Sequence, residues 1–272
     1  MVETISFKTS SPSGDLISYL PGIREIYRET GKKAIIYQRI GMVGVGHEGS
    51  IHPFSNEFGE SVCMPEVMFN MLRPLLLAQE YIEDFIIYSG QGIDMDMDKI
   101  RLEVFTNQPK GNLRNWPEYA FPQMAHDLSE KSLFLPEAEN KYKGRIVCNF
   151  TQRYRNFTTT YFFLKEHERE LLFAGLSEER DLFCKQWNLD IELLVVNDFL
   201  ELAKVIEECR FFVGCQSFCF QIAESLKVPR ILEVFPLMPN VIPIGKYAYQ
   251  FYHQGHLEFN FNKLLNLELK ES

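Results

Sequence analysis

Nowhere in the 272 residues is there an apolar run of about 20, the length a bilayer-spanning helix needs. The opening Met1-Val2-Glu3-Thr4 lacks the basic start and apolar stretch of a secretory leader, so a cytoplasmic protein with at most peripheral membrane contact is expected. The six cysteines include no CxxC pair, and Cys148, Cys209, Cys215 and Cys219 sit inside apolar runs. Buried reduced thiols are expected in place of disulfides or a zinc site, and no metal or cofactor is called for. Positive charge is also scarce. A formal net charge of −9, with no basic stripe interleaved with aromatics, argues against broad nucleic-acid binding. A small phosphate ligand stays compatible, because it needs only a few local cations.

What is present is ordinary globular material, 46% hydrophobic and 24% charged, enough to build cores in two lobes of roughly 100–150 residues. Residues 5–7 begin a strand, a Ser/Pro/Gly-rich loop follows, and Leu16, Leu20, Ile23, Ile26 and Tyr27 recur at helical spacing up to Gly31. Residues 33–40 read as the next strand, giving a βαβ unit. The glycine-rich stretch 41–59 contains Gly44-Val45-Gly46-His47-Glu48-Gly49. It matches GxGxxG in letters, but Ser50-Ile51-His52-Pro53 cannot continue a helix, so it is read as a loop over a cleft. A helix is expected over 64–81, kinked at Pro74, and a strand over 85–88. Asp94-Met95-Asp96-Met97-Asp98 has the alternating carboxylates of a calcium loop without its glycine and closing glutamate, and reads as a solvated turn.

Residues 136–144, PEAENKYKG, are the best linker. Strands are expected at 145–150, 170–174, 191–196, 210–213 and 230–234, alternating with helices at 178–187, 198–207 and 217–227, and a closing helix at 257–269. The expected organisation is therefore an N-terminal Rossmann-like domain at 1–140 and a C-terminal one at 141–255. The helix from 256 to 272 is expected to pack back on the first domain. The stretch from Val213 to Glu233 is the sharpest βαβ signal: an apolar run stops at Gly214, Ser217 opens a helix, and Pro229 ends it. Such turns put backbone N–H groups beside the carboxyl ends of parallel strands, where anions bind.

Two groups of candidates follow. Asp15, at a strand-to-helix turn, is either a helix cap worth about 1 kcal/mol or a general base. In the second half, Arg153 and Arg155 follow a strand end within Thr151-Gln152-Arg153-Tyr154-Arg155. Arginine suits a diphosphate because its planar fork offers parallel donors. Ser217 opens the helix beside them. Glu233 would accept from ribose hydroxyls or form an ion pair with Arg230 or Lys227. His47 and His52 would contact an acceptor.

Lys8-Thr9-Ser10-Ser11-Pro12-Ser13-Gly14-Asp15, continuing into Leu16-Ile17-Ser18-Tyr19-Leu20-Pro21, resembles the N-terminal signature of the ADP-heptose:lipopolysaccharide heptosyltransferases. The resemblance implies an α/β GT-B fold, two doubly wound Rossmann-like domains facing a central cleft. It implies an inverting, metal-independent glycosyltransferase that moves a sugar from a nucleotide-sugar donor to a cell-surface glycan or glycolipid precursor. Asp15 would be the base, with Ser11, Ser13, Gly14, His47 and His52 on the acceptor side. Thr151, Arg153, Arg155, Gln216, Ser217, Gln221 and Glu233 would hold the donor. Gln216, Phe218 and Gln221 stand where the family has aspartate, glycine and histidine. That pattern also fits a non-catalytic GT-B-like binding protein or, on the same scaffold, a sugar-nucleotide epimerase or hydrolase. Asp15 and the two guanidiniums are expected to face one another across the cleft.

Overall fold

The computed structural model describes residues 2–44, 54–107, 111–137 and 140–267, with side chains at all of these except 105–107. The chain divides into two compact units, Met1–Pro136 with Asn197–Leu200, and Glu137–Val196 with Glu201–Ser272. The principal break falls at the start of the charged stretch that composition marks as a linker.

In the first unit, β1 (Thr4–Thr9), α1 (Ser13–Thr30) and β2 (Lys33–Gln38) form the βαβ unit that the periodicity predicts. Leu16, Ile17 and Leu20 of α1 are fully buried, and Gly31 ends the helix at φ 69°, its N–H bonding the Tyr27 carbonyl at 2.8 Å. A short antiparallel ribbon of β3 (Met42–Val43) and β4 (Val62–Cys63) precedes α2 (Glu66–Leu77), β5 (Ile82–Ile87), β6 (Met95–Asp96), α3 (Asp98–Asn107) and α4 (Trp116–Ala120). The main sheet runs β5-β2-β1-β6 with every neighbouring pair parallel. The chain therefore moves one way from β1 and then crosses back to its other side, which makes the β1/β6 gap the topological switch point.

The alternating aspartates are not a solvated turn. Ser6 donates to Asp94 through N (2.8 Å) and Oγ (2.7 Å), Lys8 Nζ to Asp96 (2.7 Å), and Ser10 N and Oγ to Asp98 (2.6 and 2.9 Å). Side chains two residues apart point to the same side of a strand, so the three carboxylates meet Ser6, Lys8 and Ser10 along β1 and its extension, with Lys8 Nζ also 3.4 Å from Asp98.

The second unit contains β7 (Ile146–Asn149), β8 (Leu171–Phe173), α5 (Ser177–Trp187), β9 (Glu192–Leu193), α6 (Phe199–Glu208, its first two residues counted with the first unit), β10 (Phe211–Cys215), α7 (Phe218–Leu226), β11 (Arg230–Glu233), β12 (Ala248–Phe251) and α8 (Gln254–Leu265). Its sheet runs β12-β11-β10-β7-β8-β9, all parallel, the 3-2-1-4-5-6 order of dinucleotide-binding folds read from the other edge. The switch point lies between β7 and β10. The core is aromatic: Phe150 stacks on Phe183 with centroids 4.5 Å apart, and Tyr161 and Phe173 pack against Phe183. Helix α8 buries Leu257, Phe261 and Leu264 in this same core, Phe261 meeting Phe211 edge-on at 5.1 Å. The apolar face of the closing helix is thus taken up within the second unit. Among the described residues no helix is long and apolar enough to cross a membrane.

Candidate functional site

At the carboxyl edge of the first sheet, the loop after β1 carries Ser11, Ser13, Gly14 and Asp15 into α1. Asp15 does not cap that helix: Pro12 occupies the cap position and no side-chain cap bond forms. Its Oδ2 instead accepts from Arg101 Nη2, on the helix that follows β6. The carboxylate is mostly buried and the guanidinium partly open, with side-chain exposures of 16% and 43%. The Asp15 charge pushes the Arg101 pKa further above its ordinary range, against the opposing effect of burial. Ser11 is buried, its N–H bonds Thr9 Oγ1 at 3.0 Å, and its carbonyl accepts from Gln38 Nε2 at 3.2 Å. Tyr19, one turn beyond Asp15, is fully buried; burial and the Asp15 charge push its phenol up, so it stays neutral. His47 and His52 lie outside the described residues. Asp15 and Arg101 therefore flank the β1/β6 switch point, one on each helix leaving it. Sequence reasoning missed Arg101. The signal that could have found it is the Asp-every-second-residue run opening α3, with Arg101 three positions after Asp98 and so on the same helical face.

At the second switch point, Thr151 and the turn to Arg155 follow β7, while Gln216 and Ser217 follow β10. The structure brings these two groups together within one unit. Gly214 is required there, because a Cβ would stand 2.4 Å from the Asn149 carbonyl oxygen on the adjacent strand. Thr151 N and Oγ1 both lie 3.4 Å from Cys215 Sγ. Tyr154 adopts φ 54°, a left-handed conformation that a bulky side chain seldom takes, and its ring meets Phe235 at 5.6 Å.

Arg155 does not face a diphosphate. Its Nε donates to both carboxylate oxygens of Glu233, at 3.2 and 3.0 Å, and its guanidinium lies over the Phe150, Tyr161 and Phe183 rings. Burial works against the Arg155 charge, but Glu233 and Tyr161 outweigh it and the pKa is raised. Glu233 is fully buried and also accepts from the Tyr161 hydroxyl at 2.7 Å and from the Asn156 N–H. Ribose hydroxyls cannot reach it. Arg230 and Lys227 pair with Glu224 instead, both at 2.5 Å.

Gln216 is likewise engaged by protein. Its Oε1 accepts from Phe235 N–H at 2.7 Å, and its Nε2 donates to the Met238 carbonyl at 3.1 Å and Asn240 Oδ1 at 3.2 Å. Ser217 caps α7, accepting from Phe220 N–H at 3.3 Å, and Gln221 is buried in that helix. Arg153 is half-buried. Its charge partly opposes the effect of burial on Glu179, whose pKa is raised.

No family model and no curated protein matches this sequence. Solved structures do. The E. coli heptosyltransferase WaaC with ADP superposes at TM-score 0.59 and 10% identity, covering 96% of this chain and 99% of that one. E. coli ADP-heptose lps heptosyltransferase II gives 0.53 at 10% identity, with 96% and 98% covered. The family 9 glycosyl transferase of Veillonella parvula gives 0.54 at 10% identity, with 99% and 90% covered. This chain has a heptosyltransferase-like glycosyltransferase fold. In this glycosyltransferase fold the first unit presents a carboxylate with one oxygen bound to Arg101 and, among the described residues, no hydrogen bond to the other. The second unit presents Arg153, the start of α7 and a set of amide and hydroxyl groups, with one of its two sequence-predicted arginines neutralised internally.

Proposed function

We propose that the chain is an inverting, metal-independent glycosyltransferase that moves a sugar from a nucleotide-sugar donor to a hydroxyl of a glycan or glycolipid precursor. Asp15 Oδ1 takes the proton of the acceptor hydroxyl. The acceptor oxygen forms its bond to the anomeric carbon from the face opposite the leaving group. The bond from that carbon to the donor phosphate breaks, and its electron pair leaves with the nucleoside diphosphate. A carboxylate suits the first step because it is ionised at neutral pH and can act within hydrogen-bond reach of the hydroxyl. Arg153 and the α7 N-terminus offer positive charge and dipole to the leaving group. The observation that carries this reading is the place of Asp15 at the β1/β6 switch point, where ligands of open α/β sheets collect. ADP and an ADP-heptose analogue are bound in the WaaC neighbours, which makes adenine donors the first to test.

Calorimetry with ADP, UDP and GDP tests the donor half. Binding of one of them, weakened in Arg153→Ala, is the expected result, and binding of none overturns it. Asp15→Asn is expected to keep nucleotide affinity and lose transfer; retained turnover removes Asp15 as base.

A second reading is favoured by the Arg155–Glu233 pair and by Gln216: a GT-B-like protein that binds a glycan without transferring sugar. All three side chains stand in the expected donor motif, and all three are engaged within the protein. Glycan-array binding together with no nucleotide binding would select this reading.

A further inference from the structure

The Asp15–Arg101 contact belongs to a two-point lacing of the loop after β1 onto the first turn of α3. Ser10 N and Oγ hold Asp98, the first residue of α3, at 2.6 and 2.9 Å. Lys8 Nζ also reaches Asp98, at 3.4 Å. Three residues on, the same helical face delivers Arg101 to Asp15 Oδ2, five residues beyond Ser10. The loop that carries Asp15 and the helix that carries Arg101 are thus fixed to each other independently of the ion pair. Behind the pair stands Tyr19, fully buried and neutral. A carboxylate held through one oxygen by a guanidinium, at a helix start that it does not cap, has its rotamer set from outside its own helix.

We propose that Arg101 is a positioning residue for the Asp15 base: it anchors Oδ2 and leaves Oδ1 as the oxygen that takes the acceptor proton. This rests on the transferase reading above. A general base contributes about 10²–10⁴-fold when correctly placed, and a misplaced one loses much of that. Arg101 does not itself meet the reacting atoms, so its removal acts on turnover and leaves donor affinity in place.

The test measures nucleoside diphosphate released from ADP-, UDP- and GDP-sugars, with water or added glycan as acceptor. It uses the full chain and the variants Arg101→Met, Arg101→Lys, Asp15→Asn and Asp15→Asn with Arg101→Met. The expected result for Arg101→Met is a kcat lower by about a hundredfold with donor KM within about threefold. Arg101→Lys, which keeps the charge without the fork, recovers to within about tenfold of wild type. The double variant is no slower than Asp15→Asn alone, because the two residues act as one unit. Unchanged kcat in Arg101→Met, or a double variant slower by the product of the single effects, overturns the proposal while the transferase reading stands. Absence of turnover by the wild-type chain with every donor overturns that reading, and the role of Arg101 with it. If Arg101→Met does not fold, Arg101→Gln takes its place: a reduced kcat at unchanged donor KM supports the role, and wild-type kcat overturns it.

Discussion

Arg155 and Glu233, 78 positions apart, close on each other inside the second unit, the guanidinium Nε sharing both carboxylate oxygens. With side-chain exposures of 11% and 0%, they are a structural pair rather than a ligand-facing one. Removing one member leaves the other as an uncompensated buried charge, which costs about 3–5 kcal/mol. Arg155→Met should lose that much in guanidinium unfolding. Arg155→Met with Glu233→Gln should lose less, since glutamine is neutral and still accepts from Tyr161 and Asn156. Additive losses would show that the two charges are not coupled.

Gln216 holds the segment after β11 by three hydrogen bonds to Phe235, Met238 and Asn240. Gln216→Ala should speed amide exchange in a peptide spanning 234–241 by about tenfold, the effect of losing roughly 1–2 kcal/mol of local protection. Exchange in α8 should not change. Unaltered rates in the segment would mean that the chain is held there by something other than this side chain.

The approach of β10 to β7 leaves no room for a methyl group at Gly214. Gly214→Ala should therefore destabilise the second unit by about 1–3 kcal/mol, because backbone on the adjacent strand would have to shift. Thermal unfolding measures this, with Gly255→Ala, where the added carbon meets nothing within 4 Å, as the comparison.

The strand and helix alternation is legible in the sequence because hydrophobic period is a local property. Leu16, Leu20 and Ile23 mark the buried face of α1, and the stop at Gly214 followed by Ser217 marks β10 turning into α7. Thr151, Gln216 and Ser217 could be assigned to one sheet edge for the same reason, since strand ends of a parallel sheet share that edge. What the sequence does not show is which charge answers which. Arg155 reads as a cation for phosphate until Glu233 is seen beside it, and Arg101, although it follows the aspartate run by one helical turn, is matched to Asp15, 86 residues away, only by the fold. An amphipathic pattern in α8 shows that it packs, not against what; Phe211 and Phe261 settle that only in three dimensions.

Burial pushes the Cys209 thiol up to about 12, and raises those of Cys148, Cys184, Cys215 and Cys219 as well. Iodoacetamide at pH 8 should therefore leave these five largely unmodified in the folded protein, with Cys63 the site that labels, and reach all six in denaturant. The sign for stability follows. Thiols with raised folded pKa values favour the native state below the unfolded thiol pKa, and that contribution is lost as pH rises, so unfolding midpoints should fall from about pH 9 upward. Rapid native labelling of Cys148 or Cys209 would show those sites open to solvent.

His126 provides the acid counterpart. Burial lowers its pKa below 6.5, with its Nδ1–H donating to the Met124 carbonyl at 2.8 Å. A depressed histidine favours the folded state above the unfolded pKa and loses that contribution as pH falls through the folded value. His126→Gln should make stability less steep in pH below about 6.5, measured as urea midpoints between pH 7 and 5. An unchanged slope would mean that His126 titrates alike in both states.

The pairing of Ser6, Lys8 and Ser10 with Asp94, Asp96 and Asp98 has parity. Slipping the aspartate run by one residue against β1 would offer every aspartate a side chain from the opposite face of the strand, Ile5, Phe7 or Thr9, so all three contacts would fail together. An edge strand of two residues, β6, is thereby kept in phase by its side chains as much as by its backbone, and an off-by-one alignment in folding has no partially satisfied resting place.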